Sequence, residues 1–506
     1  MRRRPPLALG VCAVVALALT FVPLGYLVIR ATERGVGPFM DRLWRAGTLR
    51  LALRSLELAA IVTALSLVLG VGLAWLVTRT DLPFRRAVQV GLGLPLALPS
   101  YVAAWSWIGF RPELAGRTGA VLVLTTIAYP YVYLPVLAAL RQSDPATEDA
   151  ARSLGHGPWS VFWRVTLPQV RLAATGGALL VGLYALSDFG AVATMRYPVL
   201  THVIFRSYGS FDRTPAAVLG CLLAAMTFVI VGLEGWVRRR GGSHSVPAAR
   251  AARPHTVVRL GRLRWPLLAV PAGVLAVCLG VPAWGMQRWS SRGSARTDWG
   301  ELWDAVGNTL QVGALGALAV VVVATPVALL SARHPGRLSD LAVRAAYAGH
   351  SLPGVVVGLS LVFFGIRFAT PLYQRLPLLV LAYVVLFLSF GIGVIQGAVA
   401  QIPPVLEDLA RSLGRSGVGA WRSVTLRLAA PGIGAAATLV FLTVMKELPA
   451  TLFLRPTGFD TLATRLWSHS SAFTYSAAAP YAVAIVLLAA LPTAALATVG
   501  DRRSVR

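Results

Sequence analysis

Apolar residues fill this chain in long runs, each bounded by a short stretch where polar and charged residues gather. We count twelve runs, near residues 7–29, 55–78, 88–110, 119–140, 172–195 and 216–237, then 265–286, 308–332, 342–366, 377–400, 430–453 and 476–499. A helix of ~20 residues rising ~1.5 Å per residue spans a ~30 Å hydrocarbon layer. Lipid offers no partner to a backbone amide, so spanning segments are helices or closed barrels, and runs of this length suit helices. The pattern predicts an all-α polytopic membrane protein with about twelve transmembrane helices.

The order of runs repeats. Ser55-Leu56 is matched by Thr309-Leu310 and Leu98-Pro99 by Leu352-Pro353, each 254 positions on. From the long polar segment after the fourth run the offset is 259. Six spans is an even number, so both halves keep one orientation and form parallel repeats about an axis along the membrane normal. A pathway is expected between them. The division reads as a first six-helix repeat over 1–240, a basic linker over 241–264 and a second repeat over 265–506.

That polar segment, residues 144–168, returns at 403–427. Both copies hold Glu-Asp-x-Ala-Arg-Ser-Leu-Gly, as Glu148, Asp149, Ala150, Ala151 and Gly155, then Glu407, Asp408, Ala410 and Gly414. Asp144-Pro145 is a helix start, since Asp can cap the first amides and Pro suits the first turn. Glu148 and Arg152 stand four apart, as do Glu407 and Arg411. Such a pair adds only ~0.2–0.5 kcal/mol, too little to account for retention of the whole pattern. Gly155 or Gly414 ends the first helix, and a second short helix leads to Leu167-Pro168 and back into the membrane.

Composition agrees. The chain is 56% hydrophobic and 13% charged, with mean hydropathy +0.68, whereas soluble domains carry ~25% charged residues. The net charge of +27 comes almost wholly from Arg in the loops. Its counterpart is therefore membrane lipid with anionic headgroups, and no nucleic acid is expected. Arg density puts both termini, the linker and both repeated segments in the cytoplasm. The apolar run after Met1-Arg-Arg-Arg exceeds a signal peptide's ~7–15 residues and reads as a retained helix. Cys12, Cys221 and Cys278 all fall inside apolar runs and read as small buried hydrophobes. The histidines form no ligand cluster with Cys or acids, so no metal, cofactor or catalytic group is expected. The one lysine, Lys446, has no glycine-rich loop before it, so a phosphate-binding loop is excluded.

Acids also occur at membrane depth. Asp188 and Glu447 occupy matching places, followed by Gly190 and Pro449, with Lys446 beside Glu447. An acid near a span's centre costs about 2.5–3.5 kcal/mol, so it faces water, a partner or a pathway. Two readings stay open: acids lining the central path, or structural acids held by Arg or backbone groups. Arg196 pairs with Arg455 and Arg206 with Arg465 in the segments that follow.

At the repeated segment the chain resembles binding-protein-dependent ABC importer permeases, whose cytoplasmic loop runs Glu-x-Ala, three residues, Gly and a closing Leu-Pro. Glu148, Ala150, Gly155 and Pro168 match, as do Glu407 and Gly414; Leu409 replaces the Ala and Arg427 the Pro. The segments at 186–197 and 446–467 are similar to the fused, double-length ferric iron permeases. The resemblance implies coupling helices seated on two copies of a separate ATP-binding subunit, so that hydrolysis occurs on another chain. It also implies an external solute-binding protein delivering ferric iron, docking near Arg196, Arg206, Arg455 and Arg465, and an inner-membrane location. Thiamine and phosphonate permeases share the architecture. An ion-coupled secondary transporter, also built from two six-span halves, is the alternative of another class.

Overall fold

The computed structural model describes residues 7–143, 145–209, 213–240, 257–292 and 298–503. Asp144, most of the linker and both extreme termini lie outside the described residues. Among those described, secondary structure is helical, apart from one isolated bridge between Thr80 and Val258.

Among the described residues, nine helices are long and apolar enough to cross a membrane. Two bent helix pairs pass the same test when each is taken together, Arg85–Ala97 with Ser100–Phe110 at 96° and Arg337–His350 with Gly354–Phe368 at 104°. The helix Tyr475–Arg503, apolar over Tyr475–Ala489, stands at the place of the twelfth predicted run. Every predicted run thus has its helix or helix pair, but the third and ninth turn through about a right angle. The cause is local. Leu98-Pro99 and Leu352-Pro353 stand at the bends. Proline disfavours helical backbone in the residue before it and lacks an amide for the ladder. Pro99 and Pro353 take up extended ψ values of 141° and 138° and open the helices that follow.

The compact units do not follow the sequence halves. One unit holds residues 49–202 and 225–294, that is, the second to fifth spans with the seventh. Within it the Ala46–Arg79 helix presses closely on Pro130–Gln142. A Cβ built on Gly70 would stand 2.7 Å from Val132 Cβ and 2.9 Å from the Tyr133 amide, so nothing larger than glycine fits. The Val281–Arg292 helix packs on Ser100–Phe110.

The other unit holds residues 1–48, 203–224 and 295–506. Its core is small and alanine-rich: Ala13, Ala16, Ala324, Ala328, Ala342 and Ala346 pack with Val327, Leu388 and Ile392. Small side chains let helices approach closely where lipid supplies no hydrophobic drive. Here the Leu7–Thr32 helix packs on Trp299–Arg333, Arg337–His350 and Gly354–Phe368. Each unit therefore combines the core of one repeat with the first helix of the other.

Candidate functional site: the repeated loop and the helix breaks above it

The two polar loops fold alike. Pro145–Ser153 and Val405–Ser412 are short helices. Each ends on a glycine with φ +84°, Gly155 and Gly414, in the left-handed region that glycine enters without strain. The following amides close the turn: Gly155 N–H donates to Arg152 O and His156 N–H to Ala151 O, while Gly414 and Arg415 do the same to Arg411 and Ala410. A second helical turn runs into a π-helical segment, Phe162–Thr166 or Trp421–Thr425, and on into the next span. The replacement of Pro168 by Arg427 leaves this exit unchanged. Leu167 and Leu426, the residues just before them, have φ −62° and ψ of −44° and −40°.

The motif glutamates turn inward. Glu148 accepts from Arg79 Nε at 3.1 Å and from the Thr166 hydroxyl at 3.2 Å. Arg79 also donates to the Leu140 carbonyl at 2.9 Å and to Ser143 Oγ at 2.7 Å. The Arg79 and Glu148 side chains are 2% and 3% exposed. The second copy repeats this: Glu407 accepts from Arg333 Nε at 2.9 Å and Thr425 at 2.7 Å, and Arg333 donates to the Ile402 carbonyl at 2.9 Å. There both charged side chains are 11% exposed. Low local dielectric strengthens such directional bonds and makes an unpaired partner costly.

The opposite face of each loop is apolar and open. Leu154 is 80% exposed and Leu413 78%, with Trp159, Trp163, Val405, Leu409 and Val418 also exposed. Leu409, at the place of Ala150, points into this free face, so its size meets no obstacle in the chain. Asp149 and Asp408 are exposed and pair locally with Arg152 and Arg411. Ala151 and Ala410 are buried with the glutamates.

Farther along, the fifth and eleventh spans break at the predicted acids. Leu167–Ser187 stops before Asp188, and the short helix Gly190–Thr194 follows. Leu426–Met445 stops before Lys446, which is half-buried, and Pro449–Leu454 follows. Each carboxylate caps its short helix. Asp188 Oδ1 accepts from Ala191 N at 2.8 Å. Glu447 accepts from Ala450 N at 2.8 Å, Thr451 N at 3.0 Å and the Thr451 hydroxyl at 2.7 Å. Backbone amides thus give both acids a structural occupation at depth.

Each break also lies against the bend in the neighbouring span, with sizes exchanged. A Cβ on Gly190 would stand 2.8 Å from Tyr101 Cβ and 3.0 Å from Ser100 Oγ. A Cβ on Gly354 would stand 2.7 Å from Glu447 Oε1 and 2.9 Å from Pro449 Cγ. Gly190 meets Ser100 in one repeat, and Pro449 meets Gly354 in the other. The small residue has changed sides while the close approach is kept.

The four arginines differ in setting. Arg455 and Arg465 both pair with Asp460, Arg465 at 3.1 Å, and Arg465 also reaches Glu301 at 3.6 Å. Burial, and next the Arg465 charge, push Arg455 below the usual arginine value. Arg206 is exposed in the last turn of Leu200–Tyr208. Arg196 is exposed with φ +56°, whereas Arg455 has φ −59°. Among the described residues no three His, Cys, Asp or Glu side chains gather to hold a metal.

Sequence reasoning identified the glutamates but missed their anchors. Arg79, Arg333, Thr166 and Thr425 carry no local signal of burial. Their trace is the repeat itself: Arg79 and Arg333 are 254 apart, Thr166 and Thr425 259 apart.

Comparison with known proteins places the chain among transport proteins. The family model for the binding-protein-dependent transport system inner membrane component matches residues 66–241 and again 324–504. An Fe(3+)-transport system permease protein of Haemophilus influenzae is 32% identical over 498 residues, covering 97% of this chain and 98% of its own length. A sulfate transport system permease protein of Escherichia coli is 27% identical over 252 residues, covering 45% of this chain and 87% of its own. One from Synechococcus elongatus is 30% identical over 256 residues, covering 44% and 90%.

Proposed function

Since the chain belongs to the binding-protein-dependent transport system inner membrane components, we propose that it is the permease of an ATP-driven ferric iron importer. The observation that carries this reading is the pair of matching loop helices, each fastened by a buried glutamate and presenting an open apolar face. A face of that kind fits a cleft on a partner, where burying a leucine side chain contributes ~1.5–3 kcal/mol. Two copies of an ATP-binding subunit on the cytoplasmic side would occupy the two faces, with both termini of the permease on that same side. Hydrolysis takes place on those subunits.

The remaining assignments follow from this arrangement. Asp188, Gly190, Lys446, Glu447 and Pro449 shape the helix breaks beside the translocation path, the two acids by capping and Lys446 by its charge. An external solute-binding protein brings ferric iron to the opposite side, where Arg196, Arg206, Arg455 and Arg465 meet its acidic surface. Full-length similarity to an Fe(3+)-transport permease supports the choice of substrate.

The test is ATP-dependent uptake of radioactive ferric iron in cells carrying the intact chain or a Leu154→Asp, Leu413→Asp variant. Uptake by the intact chain and its loss in the variant is the expected result. An intact chain that captures the ATPase but moves no iron keeps the permease and removes the substrate. Uptake that persists without ATP removes the mechanism.

A further inference from the structure

Each loop helix buries few of its side chains. Of Pro145–Ser153, only Glu148 and Ala151 are buried, and of Val405–Ser412 only Glu407 and Ala410. The alanines contribute one methyl each. The buried charged anchor of each helix is therefore its glutamate; at the exposed side of the first, Gln169 also donates to the Thr147 hydroxyl at 2.6 Å.

That glutamate lies where three spans meet. Arg79 is the last residue of Ala46–Arg79. Its guanidinium holds the Leu140 carbonyl near the end of Pro130–Gln142, Ser143 just past it, and Glu148 on the loop helix. Thr166, immediately before Leu167–Ser187, donates to the same carboxylate oxygen. In the second copy Arg333 ends Trp299–Arg333, holds the Ile402 carbonyl beyond Leu376–Ala400, and binds Glu407, which Thr425 also binds. The first node has a brace as well. Val258 N–H donates to the Arg79 carbonyl at 2.8 Å, and Asp81 Oδ1 accepts from Leu260 N at 2.8 Å.

A buried ion pair adds little net stability over apolar residues of the same volume. What it adds is direction: a planar guanidinium held by three acceptors in the first node and two in the second is fixed in orientation. A loop helix that tilts must drag the three span ends with it or break the node.

We propose that the Arg79–Glu148–Thr166 node and its copy Arg333–Glu407–Thr425 are transmission joints, in which Arg79 and Arg333 act as positioning residues. They pass movement of the coupling helices to the ends of the long spans. The assignment rests on the reading of the loops as ATPase-coupling elements.

The experiment uses the assembled permease–ATPase complex in lipid nanodiscs. Hydrogen exchange is followed by mass spectrometry with and without MgATP and vanadate. The variant pairs Arg79→Met with Glu148→Gln and Arg333→Met with Glu407→Gln, so no buried charge is left unpaired. In the native complex, trapping alters exchange both in the coupling helices and at the ends of the second and eighth spans. In the variant the ATPase still copurifies, the change is confined to the coupling helices, and ATP-driven uptake falls at least tenfold. Span-end changes that persist in the variant, native uptake by it, or loss of the copurifying ATPase each overturn the joint. Should that variant fail to insert, Thr166→Val with Thr425→Val takes its place. It removes one bond from each joint and lowers uptake several-fold; full uptake overturns the proposal. A native complex whose coupling helices do not respond to trapping refutes the underlying reading of the loops instead.

Discussion

Replacing Glu148 by alanine tests whether the motif glutamate faces the ATPase or its own chain. The side chain is 3% exposed and Arg79 beside it 2%. The substitution strands a buried guanidinium with a carbonyl and a hydroxyl but no opposite charge. Breaking a buried pair in this way costs ~3–5 kcal/mol, because the remaining charge can neither pair nor hydrate. Loss of the Thr166 bond adds ~1 kcal/mol. In the second copy both partners are 11% exposed, so water recovers part of the loss. Glu407→Ala should therefore cost less, ~1.5–3 kcal/mol, the range for a hydrogen bond to a charged group. The assay is thermal unfolding of the isolated permease in detergent, read with a thiol-reactive fluorogenic dye. Cys278 is buried, and Cys12 and Cys221 are partly so, which makes thiol labelling a reporter of opening. Glu148→Ala should unfold at clearly lower temperature than Glu407→Ala, and adding Arg79→Met should restore most of the loss. If Glu148→Ala unfolds at the native temperature yet no longer captures the ATPase, the carboxylate faces the partner and this reasoning fails.

Leu154→Asp with Leu413→Asp should leave unfolding unchanged but reduce ATPase copurification by about tenfold or more per site, since burying each leucine contributes ~1.5–3 kcal/mol. Gly70→Ala should cost ~1–3 kcal/mol in the same unfolding assay, because its Cβ would press on Val132 and the Tyr133 backbone; native stability would show that the two helices can separate freely. Gly155→Ala should strain a residue held at φ +84° by roughly 1–2 kcal/mol and loosen the end of the first loop helix, seen as faster exchange of the Gly155 and His156 amides. Thr451→Val removes a hydroxyl shared between Glu447 and Tyr383, and should lower stability by ~1–2 kcal/mol while leaving ATPase capture intact.

Much of the site was legible because it occurs twice. A loop carrying Glu, Asp, Ala, Arg, Ser, Leu and Gly at one offset in two places marks a retained element, whatever its partner. The direction of Glu148 was not legible. Its i, i+4 neighbour Arg152 lies 3.7 Å away, whereas the closer Arg79 stands sixty-nine positions earlier in the chain. Local spacing offered a real but looser partner, and only the packing of span ends supplies the closer one. Asp188 and Glu447 show the same limit. Their depth was readable from the apolar runs around them, but their capping bonds depend on where each helix stops. The exchange of Gly190 and Ser100 for Pro449 and Gly354 could not be anticipated, since those pairs meet only when two broken spans come together.

The sequence alone determined the helical class, the span positions, the twofold repeat and the location of the loops. Each depends on the transfer of a contiguous segment from water to lipid, and that free energy is additive along the chain. Tertiary structure alone decided the placing of each repeat's first helix in the other repeat's unit and the inward turn of the two glutamates. Those depend on contacts between residues far apart in sequence, where small side chains permit close approach and a buried charge must find its counter-charge.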